Sequence, residues 1–275
     1  MSDDSLAWRS GEDIQLLDNA LADTPLAEGT RAAMLRRASA TLLAAGGAGA
    51  LIAACGSASS GPSSSVIASA TLASRTTSPA RGTEIKRIID TAVTAEALAV
   101  TYLSAVIRAS SGTPVERFAE VLRAANAAEY DHYRALLGLG AKPIATRFWV
   151  PRAFFGSGLA GVFPTLQVAE TLFVNAYLIA ITAFAQAGRS DLVRYASEIA
   201  GVEAQHLALA RYAGGMLPND IGFAGYSIGS IDGIVAALER AGVGFGARGS
   251  APGGFVRFAP PSRDVLVAVN HTTPR

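Results

Sequence analysis

Two four-residue words, Glu129-Tyr130-Asp131-His132 and Glu203-Ala204-Gln205-His206, use two of the three histidines in the chain. A further glutamate stands 33 residues before each word, Glu96 for the first and Glu170 for the second. Glu96 and Glu170 are 74 residues apart, and so are Glu129 and Glu203. The same constellation therefore occurs twice at one offset. A Glu and a His at i and i+3 project from one face of a helix, so each word can grip a metal ion. Carboxylates and imidazoles without thiolate suit iron or manganese. Four carboxylates and two imidazoles, facing each other in pairs, make a dinuclear site.

The spacing prescribes the elements that must carry these groups. Glu96 and Glu129 are symmetric about Ser110-Ser111-Gly112-Thr113-Pro114, a turn signal in which Pro114 suits the first position of a following helix. A helix pair folded there brings the two carboxylates level, each roughly 25 Å from the turn at 1.5 Å per residue. Glu170 and Glu203 reflect in the same way beside Gly188-Arg189-Ser190, where Ser190 is placed to cap the next helix. Ile85, Ile88, Ile89, Ala92, Ala95, Ala99, Leu103 and Val106 keep helical apolar spacing.

Four helices are predicted, over about 84–110, 115–137, 164–187 and 190–213. Gly138 and Gly140 close the second, Pro164 opens the third, and Gly214-Gly215 with Pro218 beyond closes the fourth. The segment 139–163 is too long for a simple link in a compact domain and should cross over something. Its Phe148, Trp149, Phe154 and Phe155 are expected to cover the outside of the helices. Residues 217–275 read as an irregular, Gly- and Pro-rich extension. It holds one further helix at 231–241, a linker at 248–254 and a strand or extended tail at 264–270. His271 has no partner at ligand spacing and reads as a surface residue. Burying four carboxylates without metal or protons is costly, so the metal-free protein should be the less stable form.

Half of the residues are hydrophobic, 16% are charged and the net charge is +1, which argues against nucleic-acid binding, since that wants a basic face. The longest apolar run, 171–185, is shorter than the ~20 residues of a membrane span and carries Asn175. It reads as a buried helix. Residues 34–55 combine Arg36-Arg37, an apolar stretch and small residues before Cys55, the pattern of an export signal. Ile52-Ala53-Ala54-Cys55 resembles a lipobox, which makes Cys55 the lipid anchor, and Arg36-Arg37 resembles a twin-arginine signal. Residues 1–54 are thus expected to be a disordered cytoplasmic lead and export signal, with translation starting at Met1 or Met34. Residues 55–82, rich in Ser, Ala, Gly and Thr, read as a flexible tether. The protein is expected in the cell envelope, held to the membrane through its lipid.

Residues 83–216 resemble the ferritin-like superfamily, in particular exported bacterial ferritin-like proteins related to rubrerythrins and desiccation-related proteins. That resemblance implies an all-α fold: a four-helix bundle with one long crossover between helices 2 and 3. It carries one Glu from each of two helices and Glu-x-x-His from the other two. It implies two Fe ions, or Mn, or a mixed pair, with Glu129 and Glu203 bridging. Glu96 and His132 would complete one ion, and Glu170 and His206 the other, the same six residues carrying any catalysis. Around them, Tyr177 and Tyr133 lie on ligand-bearing faces as donors, radical-quenching phenols or packing residues. Asn126 and Gln167, each three residues before a ligand glutamate, are positioned to orient it.

No Cys-x-x-Cys pair is present for a built-in rubredoxin relay, so a redox role would need an external electron donor or Fe(II) itself. The expected function is an envelope-anchored oxidoreductase or ferroxidase acting on peroxide, oxygen or Fe(II). The alternative is a non-catalytic, stress-related lipoprotein whose metals stabilise the fold. A lipid-anchored chain does not suit a closed storage cage, whereas a homodimer is compatible with it.

Overall fold

The periodic apolar stripe beginning at Ile85 folds as helix α1, Pro79–Ala109, in a computed structural model that describes residues 79–262. Helix α2, Ala119–Gly138, packs along α1. Helices α3, Val162–Gln186, and α4, Ser190–Ala213, form a second hairpin, and α1 meets α3 while α2 meets α4. A shorter helix, α5, Ile231–Arg240, rests on α1 and α3. The described residues are thus mostly helical. Residues 1–78 and 263–275, which include Cys55, the export signal, most of the tether, the strand expected at 264–270 and His271, lie outside the described residues.

Local chemistry shifts two of the expected helix boundaries. Glu116 turns back so that its Oε2 accepts from the Gly112 N–H at 2.9 Å, while Thr113 Oγ1 accepts from the Val115 N–H at 3.3 Å. These bonds hold 112–115 as a turn, and a 3₁₀ segment Glu116–Phe118 precedes α2. Pro114 therefore sits in the turn, not at a helix start. Ser190 is likewise the first residue of α4 and not its cap, which is Arg189 with no side-chain bond. The sharp reversal before it relies on Gly188, whose φ of 71° favours glycine, and the Arg189 N–H closes onto the Phe184 carbonyl at 2.9 Å.

The expectation of a purely helical fold with an irregular extension is corrected by a three-stranded antiparallel sheet. Strand β1, Arg147–Pro151, lies in the crossover, and β2, Gly244–Phe245, and β3, Gly253–Arg257, come from the C-terminal segment. The order is β2-β1-β3, with Phe148 opposite both Phe245 and Val256. The run Phe148-Trp149-Val150 alternates poorly in sequence because it is buried throughout, as a central strand is. Trp149 and Phe155 are buried too, and Tyr102 of α1 packs on the Phe155 ring at 5.2 Å. The aromatic residues do cover α1, but the C-terminal strands cover them in turn.

Side chains on the helices tack both connecting segments down. Asp90 and Thr94 of α1 accept from the Lys142 and Ile144 N–H groups at 2.7 and 2.9 Å. Tyr102 donates to the Phe154 carbonyl at 2.7 Å. Buried Asn175 of α3 accepts from the Ser227 and Ile228 N–H groups and donates to the Ile228 carbonyl. Asn175, which made the apolar run read as a core helix, has this structural job. By length and composition α1 and α3 are apolar enough to cross a membrane, so α3 is longer than the run 171–185 suggested; 72% of the relevant window of α1 and 50% of that of α3 are buried within the protein.

Candidate metal centre

The four long helices deliver one face each to a common point. Glu96 comes from α1, Glu129 and His132 from α2, Glu170 from α3, and Glu203 and His206 from α4. The four glutamates are between 0 and 4% exposed, and the side chains of His132 and His206 are 11% and 8% exposed. Ligating atoms of Glu96, Glu129, His132 and Glu203 lie within 4.8 Å of one another, and so do those of Glu129, Glu170, Glu203 and His206. Ligands on opposite sides of one ion are separated by two metal–ligand bonds, about 4–5 Å. Each quartet therefore fits one coordination sphere. The structure brings all six sequence-predicted residues together.

Glu129 and Glu203 belong to both quartets, and their oxygens divide between them. Glu129 Oε2 is 3.4 Å from His132 Nδ1, while its Oε1 is 2.7 Å from His206 Nδ1. Glu203 Oε1 is 3.3 Å from His132 Nδ1, and its Oε2 is 3.6 Å from His206 Nδ1. Glu96 Oε2 approaches only His132, at 3.6 Å. Both imidazoles present Nδ1, the ring nitrogen nearer the backbone.

These approaches have ion-pair distance but not hydrogen-bond direction. Among the described residues, ten buried side-chain nitrogen and oxygen atoms have no hydrogen-bond partner, and eight belong to these six residues. Buried polar atoms are nearly always paired, because an unmet one costs about 1–3 kcal/mol. Eight orphans aimed at one point, all of them metal-ligating atoms and none a thiolate, describe a buried Glu/His group that could hold metal.

Electrostatics show what the group does with protons in place of cations. Burial, reinforced by the charges of Glu129 and Glu203, pushes the Glu96 carboxyl well above the usual carboxylate range. Burial, with Glu203 and Glu129, does the same to Glu170. Burial acts on Glu129 too, but the His206 charge and the close approach of both imidazoles outweigh it and hold this carboxyl well below. Burial would lower both histidines. Contacts with Glu129, Glu203 and Glu96 raise His132 instead, and Glu129 above all raises His206.

The surroundings of the site correct the expectations for Asn126 and Gln167 and leave Tyr133 with the packing role. Asn126 donates to Ser104 at 3.0 Å, not to Glu129. Gln167 donates to the Ala210 carbonyl at 3.4 Å, so it ties α3 to α4 and does not orient Glu170. Tyr133 stacks near Tyr130 and packs on the Phe258 ring at 4.6 Å, outside the site. Tyr177 is the neighbour that reaches in, its hydroxyl donating to Glu96 Oε1 in a short hydrogen bond.

One residue escaped the sequence reading. The 74-residue offset that relates Glu96 to Glu170 also relates Leu103 to Tyr177. Leu103 lines a cavity of about 30 Å³ together with exposed Val121 and Leu209, with Phe118 and Phe163, and with buried Glu170 and His206. The repeat could have pointed to it, had it been compared beyond the ligands. No protein-family model, curated protein or solved structure matches this chain.

Proposed function

We propose that the six residues hold two transition-metal ions, iron or manganese, in a ferritin-like four-helix bundle, and that the protein is an envelope-anchored oxidoreductase or ferroxidase. The observation that carries this reading is the set of eight unpartnered ligating atoms, shared between two quartets through Glu129 and Glu203. A bound pair of such ions supplies two electrons to one oxidant, dioxygen or peroxide.

The chain's own groups fit that task. Four carboxylates balance the four positive charges of two divalent ions, so the loaded core is neutral and its burial is not opposed by net charge. Glu129 and Glu203 each turn one oxygen toward each histidine, so both would be shared by the two ions and would offset their repulsion. The Tyr177 hydroxyl fixes the orientation of Glu96 by occupying Oε1, which leaves Oε2 for the ion near His132. The export motif and Cys55 place this chemistry at the membrane surface in the proposal, with an external protein or Fe(II) as electron donor.

The test is oxidant consumption by the full chain loaded with Fe(II). Consumption of dioxygen or peroxide in proportion to bound iron is the expected result. Two bound ions with neither oxidant consumed would leave a structural metal site in a non-catalytic lipoprotein. Membrane partitioning of the native chain, abolished by Cys55→Ser, checks the anchor. A wild-type chain found in the cytoplasm would remove it from the proposal.

A further inference from the structure

The repeat that generates the metal centre is broken at one place, and the break makes its two halves unequal. Tyr177 of α3 lies seven residues after Glu170 and reaches across to Glu96 of α1, closing that half with a hydroxyl. The equivalent residue of the other half is Leu103, seven residues after Glu96 on α1. Leucine has no donor for Glu170, whose Oε2 is among the buried atoms without a partner. Beside Leu103 opens the cavity that runs to the surface, and its lining includes Glu170 and His206 but neither Glu96 nor His132.

The passage is apolar until its inner end. Val121 and Leu209 at the mouth are 37% and 43% exposed, whereas Leu122, Leu166 and Leu103 further in are 3%, 7% and 1% exposed. Apart from Glu170 and His206, its lining is ten residues, all leucines, alanines, phenylalanines and a valine. A volume of about 30 Å³ is the share of one small molecule. Such walls pass a neutral apolar molecule without desolvation and oppose ions and strong hydrogen-bonders.

We propose that a small apolar molecule of dioxygen's class reaches the Glu170–His206 half through this passage, and that Leu103 in place of a second tyrosine is what leaves the half open. This rests on the reading of the centre as one that meets an oxidant, and it favours dioxygen over peroxide as that oxidant.

Dissolved dioxygen is itself the probe, because its paramagnetism speeds the relaxation of methyl groups it visits. The experiment uses the full chain, metal-free, with labelled methyls. Enhanced relaxation is expected at buried Leu122 and Leu166, compared with equally buried Ile89 and Leu136. Leu103→Tyr, which restores the repeat, should abolish the enhancement, and Ala125→Leu should do the same by narrowing the passage if the first variant does not fold. Equal relaxation of the two buried sets in the wild type, or enhancement that survives in the folded variants, overturns the inference. The readout needs neither metal nor turnover. Dioxygen entry with no oxidation by the iron-loaded protein would sink the oxidoreductase reading alone. Undiminished oxidation in a variant that excludes dioxygen from the passage would sink this inference alone.

Discussion

Replacing Glu129 by Gln keeps the shape of the side chain and removes one negative charge from between the two histidines. Its oxygens face His132 Nδ1 at 3.4 Å and His206 Nδ1 at 2.7 Å, so under the proposed function both ions would lose a ligand. A unit charge about 4 Å away contributes about 4 kcal/mol at an effective dielectric of 20. That is about a thousandfold in Kd for each ion, counting a single unit of its charge. Glu96→Gln removes the same charge from one quartet only. The ion nearer His132 should weaken by about the same thousandfold. The far ion, about 4 Å further on, should weaken only about thirtyfold, because the Coulomb term halves when the distance doubles. Metal content per chain, measured by mass spectrometry after equilibration across a series of buffered free Mn(II) or Fe(II) concentrations, separates the two cases. At a concentration that fills the wild type, Glu96→Gln should retain one ion and Glu129→Gln should lose both. A Glu129→Gln protein that keeps one ion at wild-type affinity would refute the shared role of Glu129.

Three further outcomes follow from the geometry. In metal-free protein, Glu96, Glu170, His132 and His206 all have folded-state values raised above their unfolded ones. Their stabilising contribution is complete at low pH and is lost as pH rises through those raised values, so thermal stability should decline with rising pH, from about 4.3 for the glutamates and from about 6.5 for the histidines, and saturating Mn(II) should reverse the trend. Glu129, held low, acts oppositely and steepens the loss only on the acid side, so a metal-free melting curve that rises steadily between neutral and alkaline pH would contradict the site's electrostatics. Tyr177→Phe removes the hydroxyl that bonds Glu96 and should weaken metal binding about 10- to 100-fold, seen by titration calorimetry, with the helices still folded. Asn175→Ala breaks three bonds to residues 227 and 228 and should lower unfolding free energy by about 1–3 kcal/mol in urea titration; no change would mean that this segment is not docked there.

The helices and the Glu/His group were legible because two strong periodicities coincide: apolar spacing of about 3.6 and the 74-residue repeat of glutamates and histidines, whose joint burial calls for cations or protons. Turn residues such as Gly188 marked the reversals. The sheet was not legible. Phe148-Trp149-Val150 is a buried strand without alternation, and its partners Gly244-Phe245 and Gly253–Arg257 are glycine-rich stretches that carry no strand signal of their own. They become strands only because a long-range partner supplies their hydrogen bonds. Asn126 and Gln167 sat at the right helical offset but found partners in Ser104 and the Ala210 carbonyl, since offset fixes a face and not a rotamer.

The middle position of β1 has a consequence for the order of events during synthesis. Phe148 pairs with Phe245 and Val256, 97 and 108 residues later, and no strand nearer than these is available to it among the described residues. Both helical hairpins are local and can form as they emerge, but the crossover between them must wait with two open strand edges until the C-terminal fifth has been made. An unpaired central strand carrying Phe, Trp and Val is a template for pairing with other chains. The nascent protein is therefore most prone to aggregate after its metal ligands are all present and before its last strand arrives.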